Sequence, residues 1–242
     1  MSEQIAENIA AMRQRIAIAA QAAGRDPAEI LLLGVTKTHP AEMVAQALAA
    51  GLADVGENRV QEAEAKIIAL SSVRHQLTWH LIGHLQSNKA RKAAQLFDII
   101  HSVDSLRLAQ QLDRYAGEGR TQQLEILLQV NVSGEASKEG FDLVGWEQNP
   151  AVYAAFLAEV TQIVALPHLR VRGLMTIAPL TGLPAEARPH FASTRRLRDR
   201  LALALPASDW SQLSMGMSND FNDAIAEGAT MVRIGRAIFG AR

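Results

Sequence analysis

Eight apolar, strand-like runs alternate with helix-like stretches along this chain, and that alternation constrains the fold more than any other feature. The runs cover residues 30–35, 54–58, 79–84, 99–103, 124–132, 171–177, 212–217 and 231–234. Helix-like stretches lie between them, at 41–50, 60–70, 88–96, 106–116, 151–164, 189–203 and 220–227. Strands separated by helices pair in parallel through βαβ units. With eight of them in 242 residues, a single closed (β/α)8 barrel of the TIM type accounts for both count and length. A doubly wound open sheet is the other topology this pattern allows. Residues 1–242 are expected to form one domain. It is preceded by a leading helix within 1–25, where Ile5, Ile9, Met12 and Ile16 share one face before Asp26-Pro27 breaks it.

Local punctuation supports these boundaries. Ser105 and the Ser218-Asn219-Asp220 run are helix-start signals, and Gly51, Gly117 and Gly228 stand where C-terminal caps belong. The most loop-like piece is TGLPAEARP at 181–189. The amino terminus, MSEQIAENIAAMRQRIAIAA, carries acidic residues early and has no apolar block before a cleavage site, so no secretory signal is expected. No run of about 18 uncharged apolar residues occurs, so no membrane span is expected, and a cytoplasmic protein follows. With 24 basic against 25 acidic residues the chain shows no electrostatic footprint for nucleic acid. The absence of cysteine excludes disulfides, thiolate metal ligands and thiol nucleophiles.

In such a barrel, chemistry sits where the strands end. The strand-end residues are Lys37, Asn58, His84, Asp104, Asn131, Thr176, Met217-Ser218 and the segment 233–236. Lys37 has two readings. A strand-end lysine can run out to water along its own stem. Held in a partly desolvated pocket, its amine instead loses its proton more readily and can attack an aldehyde as a Schiff-base nucleophile. The C-terminal segment supplies a matching feature. Gly235 and Arg236 follow the last strand where phosphate sites recur in this fold, and Ser218 stands at an expected helix start whose free N–H groups favour an anion. Each alone reads equally well as a tight turn or an ordinary cap; facing one mouth, they favour a phosphate. Arg233 keeps its protons at any working pH. Set against a pyridine nitrogen it would donate a hydrogen bond and leave that nitrogen unprotonated; a salt bridge to a nearby carboxylate is the alternative.

The motifs LLLGVTKTHP, VGENRVQEAEAK, WHLIGHLQSNKAR, IHSVDS, LLQVNVSGEASKEGF, RGLMTIAP and LSMGMSNDFNDAIAEGATMVRIGRAIFGAR together resemble the pyridoxal-phosphate homeostasis protein family, which is similar to the barrel domain of alanine racemase (fold type III of the pyridoxal-phosphate proteins). The resemblance runs from the first strand to the C-terminus. It implies pyridoxal 5′-phosphate (PLP) as cofactor, Lys37 as its Schiff-base lysine and Arg233 as partner of the ring nitrogen. It further implies Ser218, Gly235 and Arg236 around the phosphate and Asn58 near the ring, with Met217 a further neighbour. Lys138, in GEASKEG, matches a lysine with a secondary or transfer role.

Two functions remain open on the sequence. One is a carrier that holds and delivers the cofactor without catalytic turnover, with apo-forms of PLP-dependent enzymes as recipients and a monomer expected. The other is an amino-acid racemase of the alanine racemase type, which needs a second acid–base group on the opposite face of the substrate carbon. In the resembling racemases that group is a tyrosine from a domain after the barrel. Here the only tyrosines, Tyr115 and Tyr153, fall in helix-like segments, and the chain ends at Arg242, soon after the eighth strand. The carrier is therefore favoured. A scaffold without cofactor would leave the phosphate features unexplained. His80 and His84 have metal-like spacing but no HExxH context, so packing or lining is the expectation and no metal is assigned. The basic runs at 89–92 and 195–200 read as solvated helix faces, with Leu197 and Leu201 turned inward.

Overall fold

The computed structural model describes residues 2–135, 139–179 and 186–240. Eight parallel strands close into a barrel: β1 (Leu31–Val35), β2 (Asp54–Glu57), β3 (Thr78–Leu81), β4 (Ile99–Val103), β5 (Leu124–Asn131), β7 (Leu169–Met175), β8 (Gln212–Ser214) and β9 (Met231–Ile234). Each pairs with its neighbours in that order, and β9 returns to β1 with Leu33 opposite Arg233 and Gly34 opposite Ile234. A two-residue strand absent from the sequence reading, β6 (Phe141–Asp142), adds to the edge of β5 beyond the barrel. The topology is the closed one of the two that the alternation allowed.

The helices between strands are α2 (Ala41–Ala49), α3 (Val60–Ala69), α4 (Ala90–Leu96), α5 (Leu106–Gly119), α6 (Pro150–Val164), α7 (Arg188–Ala204) and α8 (Phe221–Ala226), with α9 (Arg236–Phe239) after the last strand. Ser105 caps α5 as its position suggested, its Oγ accepting from Leu108 N at 3.3 Å. Gly117, in contrast, does not end α5. The helix continues through it because this glycine lets the ring of His168 come close; a Cβ there would lie 2.8 Å from His168 Cε1. The leading helix α1 (Ser2–Ala22) buries Ile5, Ile9, Met12, Ile16 and Ala20 against α2, α8 and α9. At about 1.5–3 kcal/mol per fully buried large aliphatic side chain, that stripe outweighs the weak intrinsic stability of an isolated helix. Arg25 fastens its end, with Nη1 donating to Ile225 O (3.0 Å) and Ala229 O (2.7 Å).

The two basic runs behave as solvated faces. Lys92 pairs with Glu64 and Arg91 with Glu118, while Arg195 and Arg196 pair with Glu227 and Glu147 as Leu197 and Leu201 are buried. Among the described residues, no helix is long and apolar enough to cross a membrane.

Candidate functional site

Five strands stop short of the ends expected from the sequence. β2 stops at Glu57, β3 at Leu81, β5 at Asn131, β7 at Met175 and β8 at Ser214, so Asn58, His84, Thr176 and Met217 lie beyond their strands. The run before α8 also corrects an expectation. Ser218 is not a helix cap but lies in a turn, and the cap position belongs to Asp220. The Asp220 side chain reaches back to accept from Met217 N at 2.5 Å. Gly216, at φ +94°, makes the bend that brings this loop over the strand ends.

Lys37 sits half-buried in the turn after β1. That turn is fixed from several sides. His39 N donates to Thr36 O (3.1 Å), Thr36 Oγ1 donates to Glu57 Oε1 (2.6 Å), and Lys66 Nζ donates to Thr36 O (2.7 Å). Thr38 takes φ +67°, the only non-glycine in the left-handed region among the described residues, and its N–H donates to Glu62 Oε1. A threonine held there stores strain that the surroundings must impose. Lys66 does so: its ammonium bonds Glu57 Oε1 (2.6 Å) and Glu62 Oε1 (2.8 Å) as well as the turn carbonyl. Burial pushes the Glu57 carboxyl above the usual range, with the hydrogen bonds from Lys66 and Thr36 pulling it back. Burial also pushes Glu62 upward, but there the bonds from Lys66 and Thr38 win, and it ends below the usual range.

Arg233 projects inside the barrel from β9, 5% exposed. Nη1 donates to Ser214 O (2.7 Å) and Ser214 Oγ (2.9 Å), and Nη2 donates to Thr176 O (2.8 Å). Burial lowers its pKa to about 10, against the pull of Asp220, so it remains a guanidinium at neutral pH. Among the described residues it is in no ion pair; the salt bridge considered for it is not formed. A guanidinium has five N–H groups, and two of these meet no acceptor among the described residues.

Register brings the other strand-end residues together. Gly235 follows β9 beside Val35, and a Cβ on it would lie 3.4 Å from both Val35 Cβ and Val35 O. Its φ of −111° lies outside the left-handed region, and a Cβ would meet Val35 only at ordinary van der Waals contact. Arg236, exposed, opens α9. Met217 and Ser218 lie next door, tied by Arg233 N donating to Gly216 O (3.0 Å). Asn58 stands on the other side, after β2, with its backbone against Gly83; a Cβ on Gly83 would fall 2.4 Å from Asn58 O. The ends of β2, β1, β9 and β8, adjacent in the barrel, thus carry Asn58, Lys37, Gly235-Arg236 and Met217-Ser218. Lys138 lies outside the described residues.

His80 and His84 do not converge. His80 is fully buried inside the barrel, bonded to Asp54 and His101. His84 is at the rim, 3.4 Å from Asp104 Oδ2 and 3.8 Å from Glu139 Oε2. These three rim residues are close enough to share a cation, but two are exposed, a common surface arrangement. The sequence did not single out Ser214 or His101, which hold Arg233 directly or through one another, whereas Thr176, named as a strand end, accepts from it through its carbonyl. Alternating burial on short strands was the only signal, and it does not distinguish a polar interior residue from a loop residue.

The asparagine tests whether this mouth suits the expected cofactor. Asn58 Oδ1 is buried with no hydrogen-bond partner among the described residues, and buried polar atoms rarely stay unpaired without a ligand or water. With the two unengaged Arg233 N–H groups and a primary amine one strand away, the donor set fits an aromatic aldehyde with a ring nitrogen and an anionic tail.

A barrel of this architecture, with lysine after its first strand and arginine on its last, belongs to the alanine racemase N-terminal domain family, whose profile matches residues 5–242. Within that class the chain sits with the pyridoxal phosphate homeostasis proteins. It is 50% identical over 238 residues to the protein of that name from Pseudomonas aeruginosa, covering 98% of this chain and 96% of the relative. It is 44% identical over 242 residues to the one from Escherichia coli, covering 98% and 97%. PipY of Synechococcus elongatus, solved with PLP bound, superposes with a TM-score of 0.82 at 42% identity, over 98% of this chain and 100% of PipY. Alanine racemase from Clostridium difficile shares the fold, with a TM-score of 0.63 at 16% identity, over 88% of this chain and 56% of the racemase.

Proposed function

We propose that this protein holds pyridoxal 5′-phosphate at the barrel mouth, bound covalently through Lys37, and serves its homeostasis by buffering and delivering it rather than by catalytic turnover. When bound, the cofactor supplies an electrophilic aldehyde and an anionic phosphate. The observation that carries this reading is the pairing of strands β1 and β9, which sets the Lys37 turn beside a buried, fixed arginine with donors to spare. The naming of the relatives and the PLP-bound PipY neighbour point the same way.

Each residue has a role in this reading. The Lys37 amine makes the covalent link. Arg233 donates to the ring nitrogen and, because it keeps its protons, leaves that nitrogen without one, so the ring withdraws electrons weakly and the bound cofactor stays quiet. Ser218, Gly235 and Arg236, with Met217 beside them, surround the phosphate, and Asn58 Oδ1 or its amide meets the ring edge. We take the working unit to be a monomer in the cytoplasm, handing the cofactor to apo-enzymes that need it.

A racemase reading finds less support. Tyr153 is buried on α6 under Arg200, whose guanidinium carbon is 3.8 Å from its ring centroid. Tyr115 is on α5 between Arg91 and Arg114. Both tyrosines belong to the outer helices, so neither can serve as the opposing acid–base group in this chain.

The test is to add PLP to the purified protein, record its visible absorption, reduce with borohydride and map the labelled peptide. Label on Lys37, lost in Lys37→Ala, is the expected result; stable label on a different residue overturns the assignment. Amino-acid racemisation should be no faster than in Lys37→Ala, and Lys37-dependent turnover would replace the carrier with an enzyme.

A further inference from the structure

A chain of buried hydrogen bonds leaves Arg233 and crosses the barrel interior to its opposite face. Arg233 Nη1 lies 2.9 Å from Ser214 Oγ, and Ser214 Oγ 3.0 Å from His101 Nδ1. His101 Nε2 is 2.9 Å from His80 Nδ1, with the two rings nearly edge to face, and His80 Nε2 is 3.1 Å from Asp54 Oδ1. Ser214, His101 and His80 are fully buried. Asp54 opens β2, at the strand end away from the mouth, and borders a cavity of about 650 Å3 there that also touches His80, Arg13, Glu29, Glu125 and Arg172. The chain therefore joins a cation near the proposed cofactor to a carboxylate reached from the other side.

The chemistry of its two ends sets its direction. A guanidinium only donates and a carboxylate only accepts, so Ser214 Oγ accepts from Arg233 and His80 Nε2 donates to Asp54. Burial above all, with neighbouring His80 and Arg233 adding to it, holds the His101 imidazole well below its usual range and so neutral. Where His80 carries a single proton, on the nitrogen that faces Asp54, each remaining gap holds one proton. Ser214 O–H donates to His101 Nδ1, and His101 Nε2–H donates to His80 Nδ1. The reverse polarity requires an imidazolium at His80 or a protonated Asp54.

We propose that Ser214, His101, His80 and Asp54 form a one-way hydrogen-bond chain, both histidines being neutral Nε2–H tautomers, which acts as a positioning group for Arg233. Its part is to commit the Ser214 hydroxyl proton to His101, so that the serine lone pairs face the guanidinium. Together with Ser214 O and Thr176 O this locks three of the arginine's N–H groups and leaves the other two for a ligand. Each bond polarises the next, as in other buried chains. The role in positioning rests on the cofactor reading above; the polarity of the chain does not.

The test has two arms. In the cofactor-free protein, nitrogen NMR of 15N-labelled histidine at neutral pH should show bare Nδ1 and protonated Nε2 on both His80 and His101, with coupling across the bond between His101 Nε2 and His80 Nδ1. An Nδ1–H tautomer or a doubly protonated ring at either position overturns the chain. In the second arm Asp54→Asn, which keeps the size of the side chain at the far end, is titrated with PLP. The expected result is weaker binding by about tenfold, the lower end of the cost of losing a partner one step removed from a binding group, and a shifted absorption maximum at little change in melting temperature. Unchanged affinity and spectrum would overturn the positioning role. A wild-type protein that forms no lysine-linked cofactor would refute the cofactor reading and the positioning role with it, while the tautomers still decide the chain.

Discussion

Lys66 Nζ lies 2.6 Å from Glu57 Oε1, and both side chains are shut away from solvent, at 7% and 0% exposure. The pair is one anchor of the Lys37 turn, because the same ammonium also donates to Thr36 O. Removing one member of a buried pair leaves an unmatched charge, which is far costlier than the pair's net worth. Lys66→Met should lower unfolding free energy by about 3–5 kcal/mol, read by urea denaturation. A loss below 1 kcal/mol would mean that water reaches Glu57 freely.

The second anchor depends on pH. Glu62 has a folded-state value below the ordinary glutamate range, burial being overcome by the Lys66 and Thr38 bonds. A depressed carboxylate contributes stability that is present above its unfolded value and lost as pH falls through the folded one. At neutral pH Glu62→Gln should therefore cost about 1 kcal/mol, and the gap to the wild type should close as the solution is acidified below pH 4 or so. Paired denaturation curves across that range check the sign; a gap that widens on acidification contradicts it.

Asn58 offers at the mouth an Oδ1 with no partner among the described residues. Losing one hydrogen bond to a ligand costs about 1.4 kcal/mol, a tenfold change. Asn58→Ala should weaken PLP binding by about that factor in an absorption titration while leaving the Lys37 label intact.

Among the described glycines, Gly173 leaves the least room for a side chain. Its φ is +148°, and a Cβ would fall 1.9 Å from Gln212 O on β8. Gly173→Ala combines backbone strain with overpacking, for a loss of about 3 kcal/mol or more, seen as a large drop in melting temperature or in soluble yield.

Ser105 is the ordinary counterpart. Its cap bond to Leu108 N is replaceable by water, so Ser105→Ala should cost only about 1 kcal/mol, or about 2–4 °C in melting temperature for a chain of this size.

The alternation of runs was enough to read the barrel, because period and spacing survive even where individual ends do not. Strand ends were misplaced where polar residues continue an apolar run: His84 and Met217 look like strand positions, but Gly83 and Gly216 turn the chain before them. The positions Lys37, Arg233 and Gly235 could be singled out because each lies at or just past the end of an apolar run, where a barrel places its chemistry. Ser214 and His101 could not. Their meaning comes from strands β8 and β4 meeting inside a closed barrel, and a contact between residues 101 and 214 has no local signature. Gly235 was expected to serve a ligand, and the structure places it beside Val35 where β9 meets β1.

That junction has a consequence for how the protein is made. Leu31 N donates to Thr230 O, so β1, which pairs early with β2, finds its second partner only after some two hundred further residues have left the ribosome. Lys37 emerges early and Arg233 long after it. In a nascent chain the turn that carries this lysine therefore stands without the wall that β9 provides until the ring of strands shuts.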